Sequence, residues 1–203
     1  MPGAVYAESG AGVRRLSRCP DGLAILSGFD HREALLHDLH RRSLLAAACS
    51  LGVLPAAARI AKEPDVPYVP TPPEVVEGML DMAALKAGER VIGLGSGDGR
   101  IPRAAPRRGA EALGVEIDAG LVARARSLTR LDGLEARARF TRDDLFTVSL
   151  RDADVVTLYL LPDVNERLKP KILNEMKPGA RVVSHAFDMG DWPPEERREI
   201  ADK

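Results

Sequence analysis

The ten residues Val91–Arg100, VIGLGSGDGR, decide the fold. Val91 and Ile92 are apolar and β-branched, as a buried strand requires, and they run into glycines at alternate positions, Gly95, Gly97 and Gly99. A strand that breaks into glycines and then continues into a helix-compatible stretch is what a chain needs where its backbone approaches a ligand closely. The stretch therefore reads as the nucleotide-cofactor loop of an α/β domain. The rest of the chain is placed around it.

At 203 residues, with 45% hydrophobic and 29% charged residues, the chain has room for one globular α/β core and an appendage. Its formal net charge of -1 gives no basic footprint, so nucleic acid is not an expected partner. Cys19 and Cys49 stand far apart in unlike contexts and make neither a disulfide framework nor a metal-ligand cluster. No metal site is expected.

Upstream of the loop the chain falls into three parts. Residues 1–42 mix glycine, arginine and serine with weak periodicity and read as a disordered extension. Residues 43–61 hold an uncharged run, Leu44–Ala58, preceded by Arg41 and Arg42 and closed by Ala56 and Ala58 in an A-x-A arrangement. Fifteen residues fall short of the roughly 20 of a membrane span, but the three parts are those of an export signal, and the arginine pair is similar to a twin-arginine start. On that reading the protein is exported or held near a membrane, with a true start near Leu39; on the other, the run is an Ala/Leu-rich helix and the protein is cytoplasmic. The domain proper is 62–203. It opens on a strap, Lys62–Pro73, whose five prolines forbid a regular helix and whose useful side chains are Tyr68 and Thr71. Thr71 is placed to cap the helix that follows, in which Val75, Val76, Met79, Leu80, Ala83 and Ala84 share a face before Ala87-Gly88 ends it.

The glycine spacing is G-x-G-x-G, not the G-x-G-x-x-G of dinucleotide folds, which disfavours a nicotinamide oxidoreductase and favours S-adenosylmethionine. A second strand, Ala112–Val115, ends in Glu116, twenty-one residues beyond Gly95, where a carboxylate can accept from both ribose hydroxyls. Leu121, Ala125, Leu128 and Leu131 mark a helix, and Ala136–Phe140 a third strand. Val155–Leu160 is a near-continuous apolar strand, as in a parallel sheet covered on both faces. Its carboxyl end, Tyr159 to Asp163, should border the reaction centre. Leu168, Ile172, Leu173 and Met176 give another helix, and Arg181–Ser184 the fifth strand, ending at His185. The expected architecture is a Rossmann-like doubly wound sheet of order 3-2-1-4-5.

Five segments make this more specific: PYVPTP (67–72), LGSGDGR (94–100), GVEID (114–118), DVVTLYLLPDVN (154–165) and VVSHAFDMGDW (182–192). Together they resemble the class I, seven-strand S-adenosylmethionine-dependent methyltransferases related to the ATP synthase c-subunit lysine methyltransferase, its bacterial relatives above all, over about 63–194. The resemblance implies methyl transfer to a protein lysine. It implies cofactor contacts from Tyr68, Thr71, Gly95, Ser96, Gly97, Asp98, Gly99 and Glu116, with Asp144 accepting from the adenine amino group and Leu145 packing on the ring. Read from the residues alone, Asp143 and Asp144 could equally cap a turn. Tyr159, Asp163 and His185 are the candidate catalytic contributors, while Asp191-Trp192 could cover the site or, in the case of Trp192, simply pack.

The chain departs from the family in three places. Gly93 stands where the family has an acid at the end of the first strand. Pro106 stands where the family helix is uninterrupted, so that helix should be short or kinked. The C-terminal strands six and seven are missing, and part of a helix is expected between the fifth strand and Lys203, leaving the fifth strand as an open edge. The alternative to an active methyltransferase is a non-catalytic cofactor-binding or interaction module.

Overall fold

The computed structural model describes residues 64–200 and the backbone of two N-terminal strands, β1 (Gly3–Glu8) and β2 (Leu23–Leu26). The apolar run 44–58 and the remainder of the N-terminal extension lie outside the described residues. Among the described residues no helix is long and apolar enough to cross a membrane.

Five parallel strands form the body of the sheet: β3 (Arg90–Leu94), β4 (Glu111–Glu116), β5 (Ala138–Arg142), β6 (Val155–Leu158) and β7 (Arg181–His185). They lie in the order β5-β4-β3-β6-β7, the expected 3-2-1-4-5. β3 is central: Val91 pairs with Ala112 of β4 on one side and Val155 of β6 on the other. All four residues of β6 are buried, and only Arg90 of β3 is exposed, because helices cover both faces.

Those helices are α1 (Pro73–Met82), α2 (Arg100–Ala104), α3 (Ala119–Leu131) and α4 (Pro162–Glu175). α1 buries Val75, Val76, Met79 and Leu80, as its spacing predicts, but stops six residues before Gly88. Thr71 does not cap it. The N-cap is Pro72, and no side chain bonds to the free amides there. α3 is capped by Asp118, whose carboxylate accepts from the Leu121 amide at 2.7 Å. Its buried face is Val122, Ala125 and Thr129; the expected stripe lies one residue off, and Leu131 is 82% exposed. α4 packs through Val164, Leu168 and Ile172, with Leu173 partly exposed. Each such buried aliphatic side chain contributes about 1.5–3 kcal/mol by leaving water.

The helix after the glycine loop is short, as the prolines require. α2 has five residues, with Pro102 in its first turn, and Pro106 then sits in a 3-10 turn, Ala105–Arg108, closed by Gly109 at φ 81°. An interior proline removes an amide donor and clashes with the preceding turn, so the chain changes helix type there.

The far side of β7 differs from the expected open edge. β1 and β2 both pair with it in parallel, Val5 opposite Val183 and Ala24 opposite the same residue. Among the described residues no helix follows β7. The chain turns through a Met189–Trp192 bridge and enters a short strand, β8 (Glu196–Glu199), parallel to β1 and β2.

Candidate functional site

A cleft of about 550 Å³ opens at the carboxyl ends of β3, β4, β5 and β6, where open parallel sheets bind ligands. Its floor is Gly93–Asp98, one side is Val115–Asp118, another is Asp143–Leu145, and the strap from Pro64 to Thr71 lies over it. Tyr159 and Leu160, just past β6, complete the wall.

The loop after β3 has the conformation its spacing demands. Gly95, Gly97 and Gly99 all have positive φ, 65°, 54° and 81°. A Cβ at Gly97 would lie 2.5 Å from the Tyr68 ring, so the strap settles on bare backbone. Gly99 serves packing instead: it caps α2, and a Cβ there would meet Phe140 at 2.5 Å; it does not line the cleft.

Glu116, 8% exposed at the end of β4, is fixed by backbone. One carboxylate oxygen accepts from the Gly97 amide at 2.9 Å, the other from the Ile117 and Asp118 amides at 2.8 and 3.0 Å. The carboxylate is thus oriented before any ligand arrives. Ser96 lies beside it with its Oγ buried and without a hydrogen-bond partner. Asp144 and Leu145 line the cleft after β5. The aspartates also cap the turn: Asp143 Oδ1 accepts from the Asp144 amide at 2.8 Å, and Asp144 Oδ1 from the Phe146 amide at 3.0 Å.

The strap is tied down at its C-terminal end. Arg100 donates from Nη1 to the Thr71 carbonyl at 2.6 Å, while its Nε and Nη2 grip both oxygens of Asp98 at 3.0 and 2.9 Å. Burial alone would raise the Asp98 pKa, but the Arg100 guanidinium outweighs it and holds the carboxyl below its ordinary range. Tyr68, partly buried and next to the Asp98 charge, has its phenol pushed up. Farther out, Arg167 stacks over Phe146 at 4.4 Å and reaches Asp65 at 3.4 Å.

Behind the wall, the Thr71 hydroxyl meets His185 Nδ1 at 3.3 Å, and the His185 ring lies 3.9 Å from that of Tyr159. His185 is 4% exposed, and burial lowers its pKa to about 3. It is a neutral imidazole that holds Thr71 and Tyr159, outside the cleft lining. The Tyr159 phenol is pushed up by burial and stays protonated. Asp163 is exposed in the first turn of α4 and does not line the cleft. Trp192 is packed into the core, away from the site.

Of the sequence-predicted residues, Tyr68, Thr71, Gly95, Ser96, Gly97, Asp98, Glu116, Asp144, Leu145 and Tyr159 meet in this one cleft. Sequence reasoning missed Arg100 and Thr157, which also line it. Arg100 closes the motif itself and was there to be read. Thr157 is hidden inside an apolar strand.

The sequence profile of the ANTKMT methyltransferase domain matches residues 93–196, from the end of β3 through the start of β8. This chain belongs to that methyltransferase family. The protein-lysine N-methyltransferase of Saccharolobus islandicus is 43% identical over 141 residues, spanning 68% of this chain and 88% of the relative. The ATP synthase c-subunit lysine N-methyltransferase of Xenopus laevis is 33% identical over 130 residues, 64% of this chain and 57% of that one. Among solved structures, the RNA methyltransferase from Salinibacter ruber in complex with S-adenosyl-L-homocysteine is 46% identical, with a TM-score of 0.62, covering 63% of this chain and 84% of that chain.

S-adenosylmethionine is the cofactor of this methyltransferase, and the cleft fits it. Its volume lies within the range of small-molecule sites, its floor is rich in glycine, and Glu116 in its lining holds an oriented carboxylate. Glu116 would hold the ribose hydroxyls, and Asp144 and Leu145 the adenine.

Proposed function

We propose that this protein transfers a methyl group from S-adenosylmethionine to the side-chain amine of a protein lysine. The observation that carries this is the position of Tyr159. It lines the same cleft as the glycine loop and Glu116, so an acceptor held against its ring would share that cleft with the cofactor.

When bound, the cofactor supplies an electrophilic methyl carbon that an amine attacks in line. The protein's share is positioning, which can supply much of the acceleration. Tyr159, fixed against His185 and Phe187 with ring centroids 3.9 and 6.3 Å apart, is a rigid apolar wall. A lysine, with an ordinary pKa of about 10.4, is nucleophilic only when neutral, and an apolar wall favours that form by desolvation. His185 cannot accept the released proton near neutral pH, since its charged form is disfavoured and Nδ1 already faces Thr71. Asp163, exposed at the start of α4 and outside the cleft lining, is not placed to receive it either, so the proton leaves to solvent.

The named activities of the relatives divide on the acceptor, protein lysine for the Saccharolobus and Xenopus proteins and RNA for the Salinibacter one. The net charge of -1 favours the protein acceptor. Incubating the purified chain with a cell extract and S-adenosylmethionine carrying a labelled methyl group tests this. Label that is lost on protease digestion, survives ribonuclease and maps to lysine by mass spectrometry is the expected result. Label released by ribonuclease would replace the protein acceptor with RNA. Membrane proximity through the apolar run 44–58 belongs to this reading only as an added proposal, supported by the pattern of that run.

A further inference from the structure

Ala186 has φ 67°, in the left-handed region that a residue with a Cβ rarely adopts. It is the centre of a three-residue turn, closed by a hydrogen bond from the Phe187 amide to the His185 carbonyl at 2.8 Å. This positive-φ form of the γ-turn is rare and strained, and it persists only where its surroundings hold it. Strain of that kind calls for a reason.

The residues on either side supply one. His185 and Phe187 both lie against Tyr159, with ring centroids 3.9 and 6.3 Å from its own. The turn thus folds the end of β7 around the ring that lines the cleft. Phe187 is only partly buried, so the turn, more than core packing, sets where its ring lies. Two buried side chains hold the turn. Ser184, 0% exposed, donates from Oγ to the Phe187 carbonyl at 2.7 Å. It stands three residues away on the same strand end, so its bond shapes the turn locally. Asn165, also 0% exposed, donates from Nδ2 to the carbonyls of Phe187 and Asp188 at 3.3 and 3.1 Å. It does so from α4, 22 and 23 positions away, and therefore fixes where the turn stands.

We propose that Asn165 is a positioning residue for methyl transfer. From α4 it holds the carbonyls of the strained turn, seats Phe187 against Tyr159, and so sets the wall that the acceptor amine meets. The proposal rests on the reading of Tyr159 as that wall.

The test uses the full chain, a cell extract as acceptor and S-adenosylmethionine with a labelled methyl group. Asn165→Ala removes both donors and overfills nothing. Labelling at lysine is expected to slow about ten- to hundredfold, the effect of a small misplacement near the reacting groups. S-adenosylhomocysteine affinity by calorimetry should be unchanged, and nuclear Overhauser contacts between the Tyr159 and Phe187 rings should be lost. Adding Ala186→Gly should restore both the contacts and the rate, because glycine adopts the positive-φ turn without strain and needs no support there. Phe187→Leu removes the ring alone and should slow labelling in the same way; it carries the test if Asn165→Ala does not fold. Labelling at the wild-type rate by Asn165→Ala or Phe187→Leu, an equal loss of cofactor binding, or a folded Asn165→Ala/Ala186→Gly that regains nothing overturns the proposal. A wild-type chain that binds S-adenosylhomocysteine but labels no lysine would instead overturn the acceptor reading, and the proposal with it.

Discussion

At the residue scale, the site is set by which positions lack a side chain. Gly97 combines φ 54° with a Tyr68 ring that sits where a Cβ would go. Gly97→Ala strains the backbone by about 1–2 kcal/mol and displaces the strap. S-adenosylhomocysteine affinity is expected to fall about tenfold or more, by calorimetry, with the fold intact by circular dichroism. Gly93 is constrained differently, by packing. Restoring an acid alone as Gly93→Asp drives its Cβ against the rigid Pro102 ring at 2.8 Å, and overpacking of this kind costs about 1–3 kcal/mol. Gly93→Asp should unfold at lower urea than the wild type, and Gly93→Asp/Pro102→Ala should recover most of the loss. A single variant as stable as the wild type would show that packing does not hold glycine there.

His185 carries the pH dependence at this same scale. Its folded pKa of about 3 lies below the ordinary value of 6.5, so between those values the unfolded chain binds more protons than the folded one. Stability from this residue is complete above about pH 6.5 and falls as the pH drops through the window, by up to about 1.4 kcal/mol per pH unit. His185→Asn keeps an acceptor near Thr71 without a titrating ring. Urea midpoints measured from pH 7 to pH 4 should fall more steeply for the wild type than for this variant.

At the scale of elements, the strap, the glycine loop and α2 are joined through one guanidinium. Arg100 binds the Thr71 carbonyl and both oxygens of Asp98, whose side chain is 7% exposed. Arg100→Met keeps much of the stem, releases the strap and leaves a buried carboxylate unpaired, a loss of about 1.5–3 kcal/mol. Hydrogen exchange is expected to quicken across 66–71, and Arg100→Met/Asp98→Asn should regain part of the stability. Unchanged exchange in the strap would mean that its prolines, not Arg100, hold it in place. The broken helix after the loop follows from Pro102 and Pro106. Pro102, in the first turn of α2, lies where a Cβ at Gly93 would go, so the proline in α2 and the glycine at the end of β3 are a single packing solution.

At the scale of the molecule, five parallel strands give a sheet whose β5 and β7 margins differ. β7 carries buried apolar residues, Val182 and Val183, along an edge with which β1 and β2 both pair. Removing residues 1–26 bares a ladder of amides and carbonyls beside apolar side chains, a template for pairing with another chain. The truncated protein should show concentration-dependent association by light scattering at concentrations where the full chain does not. Equal behaviour of the two would mean that this edge is protected by other means.

The strand order, the glycine loop and the place of Glu116 at a strand end were legible in the sequence, because they rest on local rules: β-branched runs, glycines where φ must be positive, a carboxylate at a strand end; the family was legible as a resemblance carried by five segments. The short α2 was legible for the same reason, since a proline's effect is local. The rest depended on contacts between distant residues. Thr71 looked like a helix cap and is instead a partner of His185, 114 positions away. His185 stood among the candidate catalytic residues, and burial against Tyr159 makes it a fixed neutral ring. Gly93 looked like a loss, and only the register of β3 against β6, with Pro102 folded back across it, showed what fills its place. Sequence periodicity fixes which way a strand's side chains alternate, but burial and partnership are decided by the elements that pack against it.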